Sequence, residues 1–151
     1  MPISRQDAEM MIDRYIAEIG LTKEQTYNAE KKAWYWTRGS AGIEAFIADV
    51  PVGTGTRQYL RVFSSLMEVP MASERDFYRH LLELNDGKLG VKLTVMPGSN
   101  LVFATYERDI VGMDYEELAT CIGDLEWWAD TLDDQLKAKF NVAGTRPDRI
   151  A

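Results

Sequence analysis

The chain has a single cysteine, Cys121, and a single histidine, His80. One cysteine excludes an internal disulfide and is typical of a reducing compartment, so we expect a cytoplasmic protein. With one histidine and one cysteine, neither a zinc site nor a Cys–His nucleophile system has enough partners, except by an accident of folding. No Gly-x-Ser-x-Gly elbow is present that would make His80 the base of a serine triad. We therefore expect no catalytic residue, no metal site and no cofactor.

Long apolar runs and a basic leader are also missing. No apolar run approaches the roughly 18 residues that span a membrane, and residues 1–5 lack the basic-then-apolar order of a signal peptide. The formal charge is −7, which would repel the phosphate backbone of a nucleic acid. Residues 113–140 carry eight acids against two lysines, so one segment holds most of this charge. We expect neither a nucleic acid nor a membrane as partner.

What the sequence does have is a long periodic segment near its end. Asp114 and Glu117 have the spacing of a capping box, which predicts a helix start at this point. The predicted helix of about 26 residues is near 39 Å long, enough to cross the face of a small sheet. Its apolar side chains recur every three or four residues and form one stripe: Leu118, Ile122, Leu125, Ala129, Leu132, Leu136 and Phe140.

Shorter elements precede this helix. Ser4 with Asp7, and Ser73 with Asp76, predict the starts of two further helices. Runs of alternating apolar and polar residues predict five strands, at residues 31–38, 43–50, 57–67, 89–95 and 101–106. The predicted order is α-β-β-β-α-β-β-α, an α+β fold. We expect one domain over residues 1–140 and a loose tail over residues 141–151.

Two motifs resemble ligand sites. Gly53-Thr54-Gly55-Thr56 looks like part of a phosphate loop, but a strand follows it and no Gly-Lys-Ser/Thr is present, which favours a strand-to-strand loop. Asp130, Asp133 and Asp134 share one region of the last helix. Carboxylates on a single helix offer too few converging ligands for Ca²⁺, which favours a solvated face.

The tryptophans leave two interpretations open. On the helix wheel Trp127 lies opposite the apolar stripe, between acidic residues. Its ring either packs within the chain, lying flat along its own helix or covered by the tail, or it contacts another chain, where tryptophan is a frequent anchor. Alternation places Trp34 and Trp36 on one face of their strand and Tyr35 on the other. If helices cover only one side of the sheet, the second face is either hydrated or an interface.

The element order and three segments resemble the YbjN-like family and, at the level of the fold, the type III secretion chaperones. The segments are Asp114–Ala119, Leu125–Asp130 with the following Leu136, and Phe77–Asn85. The resemblance implies a twisted antiparallel sheet packed by helices, in a small acidic protein that is commonly a homodimer and has no enzyme activity. Members of the chaperone group bind extended segments of another protein. The resemblance supplies no catalytic residues.

Three functions follow as hypotheses. The first is a non-catalytic protein-binding module, dimeric and chaperone-like or adaptor-like, that binds client segments along an exposed strand or groove. The second is a ligand sensor or unusual enzyme with a pocket at Tyr35, Arg38, Arg61 and Tyr106, in which the two arginines hold an anion. The third is a structural subunit covered by a permanent partner. For the first, the residues expected to bind are Trp34, Trp36, Val50, Leu60, Val62 and Trp127.

Overall fold

The computed structural model describes residues 3–88 and 90–140, and all its strands belong to one antiparallel sheet. The strands are β1 (Tyr27–Asn28), β2 (Ala33–Arg38), β3 (Ala41–Val52), β4 (Gly55–Glu68), β5 (Val91–Val95) and β6 (Leu101–Asp109). The helices are α1 (Arg5–Glu18), α2 (Lys23–Thr26), α3 (Glu74–Gly87) and α4 (Tyr115–Lys139). The strands lie side by side in the order β1-β2-β3-β4-β6-β5. The predicted α+β fold is confirmed.

Helix α4 begins where the sequence predicts. The Asp114 side chain accepts a hydrogen bond from the Glu117 N–H at 2.8 Å, and the Glu117 side chain accepts one from the Asp114 N–H at 2.9 Å. This reciprocal cap satisfies two N–H groups of the first turn. The stripe from Leu118 to Leu136 is buried, and α4 contacts β3, β4 and β6. The helix therefore crosses the sheet, as its length predicts.

Helices cover one face of the sheet. The covered face of β3 presents Ile43 and Ile47, and that of β4 presents Leu60, all buried under α1 and α4. Helix α3 packs beside them against β5. Because strand side chains alternate, the intervening residues point to the opposite face, which carries no described helix. We call this second surface the open face.

Two local predictions differ from the structure. The Ser73–Asp76 capping box is wrong, because a 3₁₀ turn (Met71–Ser73) leads into α3 and the Ser73 side chain makes no capping hydrogen bond. Residues 22–30, for which the sequence predicts no helix or strand, hold α2 and β1. Helix α2 begins with its own capping box, Thr22 with Gln25. Leu89 and the predicted tail over residues 141–151 lie outside the described residues.

The acidic face of α4 is not uniformly solvated. Asp133 is buried beside Lys137, with their charged atoms 3.4 Å apart, so the solvated-face interpretation is wrong for this residue. Asp130 accepts hydrogen bonds from the Ser40 N–H at 3.1 Å and from its hydroxyl at 2.6 Å. These contacts fasten the β2–β3 turn to α4. A membrane-spanning helix, with the required length and apolar character, does not occur among residues 3–88 and 90–140.

Candidate functional site

Four of the six predicted binding residues are buried in the structure. Trp34 is 1% exposed and Trp36 is 6% exposed, so the expectation of exposed indoles on β2 is wrong. Both rings point to the covered face, as do Leu60 and Val62, which are also buried. The two residues that reach the surface are Val50, half-buried near the end of β3, and Trp127, 60% exposed on α4.

Carboxylates beneath the sheet explain why the indoles turn inward. Trp36 donates from Nε1 to Glu126 at 2.8 Å, and Tyr15 donates its hydroxyl to the same carboxylate. Trp34 donates from Nε1 to Asp13 at 3.0 Å. Burial and, after it, the Glu126 carboxylate raise the pKa of Tyr15, so its hydroxyl stays protonated and able to donate. Acids beside the apolar stripes of α1 and α4 were the sequence signal for these partners.

Three phenylalanines form a connected row on the open face. The Phe46 and Phe63 ring centroids are 5.7 Å apart with an interplanar angle of 88°, and those of Phe63 and Phe103 are 5.6 Å apart at 86°. Edge-to-face geometry of this kind is favourable beyond the area that it buries. The three rings line a concavity of about 370 Å³ together with Met96 and Pro97. We call these rings the phenylalanine row.

Charged side chains cross the open face beside this row. The Glu107 carboxylate oxygens lie 2.5 Å from Arg61 Nε and 2.5 Å from Lys92 Nζ. Partial burial alone would raise the pKa of Glu107, but Lys92 and Arg61 together hold it below its usual value. For Glu44, burial is the larger effect and raises the pKa, although Lys31 and Arg61 oppose the shift. The open face is therefore apolar at its floor and carries both signs of charge.

One edge of the sheet is closed by a side chain. Asn85 of α3 donates from Nδ2 to the Leu93 carbonyl at 3.1 Å, and its Oδ1 accepts from the Leu93 N–H at 2.7 Å. The amide thus takes the place that a further strand would occupy beside β5. Native proteins protect sheet edges because unpaired peptide groups recruit other chains.

Substituting Asn85 tests this closure. We expect Asn85→Ala to lower the free energy of unfolding by about 1–2 kcal/mol, because two partly buried hydrogen bonds are lost. We also expect concentration-dependent self-association through β5, which light scattering detects. Asn85→Asp keeps the acceptor for the Leu93 N–H and should show a smaller effect. Unchanged stability and unchanged mass in Asn85→Ala would contradict the proposed closure.

The opposite edge is open along part of β2. Strand β1 pairs only with Ala33 and Trp34, and nothing in the described part of the chain pairs with residues 35–38 on that side. Thr37 and Arg38 are exposed. Beyond β2, the Arg5 side chain covers the next stretch of β3 by donating to the Ile47 carbonyl at 2.7 Å. We call residues 35–38 the open edge.

The residues of the predicted ligand pocket do not converge. Tyr35 and Arg61 lie on the open face, whereas Arg38 alternates with Tyr35 and, like Tyr106, lies on the covered face. Arg38 is on β2 and Arg61 on β4, with β3 between them. Arg38 and Arg61 therefore lie on opposite faces and on strands that are not neighbours, so they cannot hold one anion between them as the ligand-sensor hypothesis requires.

Trp127 lies on α4, on the opposite side of the sheet from the open face. Its ring packs edge-on against Trp128, with centroids 4.6 Å apart and an interplanar angle of 82°. The Lys88 ammonium lies 3.6 Å from the centroid of the Trp128 ring. Trp127 thus rests partly on its own helix, as one of the two interpretations from sequence expects, and its remaining surface is exposed.

The comparisons with known proteins identify the fold. No protein-family model matches the chain, and no curated protein matches its sequence. The crystal structure of the ExsC-ExsE complex matches with a TM-score of 0.58 and 11% identity, covering 90% of this chain and 97% of that chain. YbjN from E. coli matches with a TM-score of 0.59 and 12% identity, covering 86% and 91%. The fold group predicted from the sequence, YbjN-like and secretion-chaperone-like, is therefore confirmed.

Proposed function

We propose that this protein is a non-catalytic, chaperone-like or adaptor-like binding module, a cytoplasmic homodimer whose single domain spans residues 1–140. It binds an extended segment of a partner protein by adding that segment as a strand at the open edge. The observation that carries the proposal is the four-residue stretch of β2 without a described neighbour on one side. One of the solved structures that share the fold is itself a complex of two proteins, which supports protein binding.

The open edge is well prepared for strand addition. Alternate residues of an edge strand direct their N–H and C=O groups outward, and an extended peptide can pair with them whatever its side chains. Strand β2 is held in place from behind, because Glu126 binds Trp36 and Asp130 binds the Ser40 turn. Because β2 is already ordered before a partner binds, less conformational entropy is lost on binding.

The charges around the open edge indicate which partner segments bind there. Lys31, Lys32 and Arg38 are exposed around the open edge, in a chain whose formal charge is −7. These cations attract acidic side chains and speed the encounter with them. The proposed partner segment therefore alternates β-forming residues with aspartate or glutamate. Of the binding residues predicted from sequence, Val50 and Trp127 keep surface that a longer segment could contact.

A pair of modified peptides tests strand addition. The probe is a labelled peptide of alternating valine and aspartate, with backbone N-methyl groups on either its odd or its even residues. Because an added strand uses the N–H groups of one set only, we expect one methylated peptide to bind and the other to fail. The amide resonances of residues 35–38 should shift on binding. Equal binding of both methylated peptides, or no binding of the unmodified probe, would contradict the proposal.

A charge reversal with a matched control tests the selection. We expect Lys31→Glu/Lys32→Glu to weaken binding of the acidic probe by about tenfold or more at low salt. Arg75→Glu/Arg79→Glu makes the same change of charge on α3, away from the open edge, and should change binding little. Equal weakening by both double variants would assign the effect to net charge alone.

A further inference from the structure

Four of the charged side chains on the open face, one on each of four successive strands, alternate in sign from strand to strand. In the order β3, β4, β6, β5 they are Glu44, Arg61, Glu107 and Lys92. Arg61 and Lys92 both contact Glu107, and Arg61 lies close enough to Glu44 to act on its charge. The four charges sum to zero, although the chain as a whole carries −7.

The strand register places these charges at two levels along the sheet. Glu44 pairs with Phe63, which pairs with Thr105, and Thr105 pairs with Lys92, so Glu44 and Lys92 lie on one line across the strands. Arg61 and Glu107 pair directly with each other and lie on a second line. Each line therefore holds one acid and one base.

An alternating series of this kind is complementary to itself when it is reversed. A twofold axis that runs between two copies, parallel to their strands, turns the open faces toward each other. It reverses the strand order and keeps each residue at its level. Glu44 then faces Lys92 of the partner subunit, and Arg61 faces Glu107 of the partner subunit. Each acid therefore faces a base of the other copy, and the twofold axis produces each of these contacts twice, as in any isologous interface. We propose that the occupant of the open face is a second copy of this chain, docked about such an axis.

The apolar floor fits the same arrangement. Two sheets that pack face to face approach to about 10 Å, with side chains from the two inner faces interdigitating. The phenylalanine row supplies large side chains for that layer, and the concavity above it has room for side chains of the second copy. A partner segment of one charge sign would meet two like charges among these four, whereas in a second copy each of the four faces an opposite charge.

The inference rests on the proposed function, since it gives the homodimer its interface, and it leaves the open edge for the partner. Glu44 and Lys92 make the test possible. They lie on β3 and β5 with two strands between them, so neither can pair with the other inside one chain. Any mutual rescue between variants at these positions must therefore act between chains.

The experiment compares Glu44→Lys, Lys92→Glu and their equimolar mixture. In each variant alone, like charges meet twice across the axis, and we expect the dimer dissociation constant to rise about tenfold or more. In the mixture, the lysine introduced by E44K in one chain faces the glutamate introduced by K92E in the other. Heterodimers should therefore form at the concentrations at which the wild type dimerises. Sedimentation measures the dissociation constants, and native mass spectrometry with one variant isotopically labelled counts the heterodimers.

Matched controls separate the outcomes. Glu116→Lys makes the same change of charge on the exposed side of α4 and should leave the dimer intact. A wild-type protein that stays monomeric at about 100 µM, or a mixture that associates no better than its components, would overturn the inference. The valine–aspartate probe is then tested on Glu44→Lys. If Glu44→Lys still binds the probe, the strand-addition function stands even where the proposed dimer interface fails.

Discussion

We expect Glu126→Leu to lower the free energy of unfolding by about 3 kcal/mol. The Glu126 carboxylate accepts hydrogen bonds from the Tyr15 hydroxyl and the Trp36 indole inside the core. Leucine removes the acceptor, and each buried donor left without a partner costs about 1–3 kcal/mol. For a domain of this size the midpoint of thermal unfolding should fall by about 6–12 °C, which urea and thermal denaturation measure together.

Companion variants show whether the lost hydrogen bonds are responsible. The double variant Glu126→Leu/Tyr15→Phe also lacks the unpaired hydroxyl donor. Its free energy of unfolding should therefore be about 1 kcal/mol higher than that of Glu126→Leu. Glu126→Gln keeps one acceptor oxygen and should fall between the wild type and the leucine variant. Glu116→Leu makes the same substitution at an exposed position of α4 and should change stability by about 0.5 kcal/mol or less. If the leucine variants at 116 and 126 were equally stable, the carboxylate would not be holding the core together.

Gly90→Ala is the second substitution with a large expected effect. Gly90 has a φ of +82°, a conformation that L side chains rarely adopt. A Cβ at this position would lie 2.5 Å from Cζ of Tyr106, so the ring would have to move. Backbone strain of about 1–2 kcal/mol and overpacking of about 1–3 kcal/mol add to a loss of about 3 kcal/mol. Urea denaturation measures the loss.

Two comparisons divide this loss between its causes. Gly98 has a φ of +76° but open space where a Cβ would stand, so Gly98→Ala should lose only the backbone contribution, about 1 kcal/mol. In a Tyr106→Ala background the clash is absent, and Gly90→Ala should cost about the same as Gly98→Ala. A Gly90→Ala variant as stable as Gly98→Ala in the wild-type background would show that Tyr106 moves aside freely.

Local signals sufficed for most of the fold. The capping boxes at Ser4 and Asp114 act within three residues, so the sequence alone reveals them. The stripe of α4 and the alternation of Trp34 with Tyr35 follow from the helical and strand periods, which depend only on backbone geometry. These features predicted the order of the main elements, the crossing helix and the faces that strand residues share.

Non-local contacts account for what the sequence could not predict. Trp36 and Glu126 are 90 residues apart in the chain, and no local pattern links them. Asp133 was assigned to solvent because its burial depends on how α4 meets the rest of the fold. Ser73 has the spacing of a cap, yet a 3₁₀ turn precedes α3 and the Ser73 side chain makes no capping hydrogen bond.

Which of the two faces of the sheet the helices cover could not be predicted from the sequence. Alternation separates the side chains of β3 and β4 into two sets, but both sets contain large apolar residues, such as Leu60 on one face and Phe63 on the other. Which set the helices cover depends on the handedness and position of the connections, which periodicity does not encode. Trp34 and Trp36 were therefore expected at the surface although the helices cover them, and the phenylalanine row was not singled out.

The position of α4 in the chain has a consequence for synthesis of the protein on the ribosome. All described strands of the sheet precede Tyr115, so they leave the ribosome before the helix that covers β3, β4 and β6. At about 5–20 residues per second, the covered face of the sheet remains without α4 for several seconds. During that interval the nascent chain displays Leu60 and Val62 to solvent. Translation speed between β6 and the end of α4 therefore sets how long the chain is exposed to aggregation or to cellular chaperones.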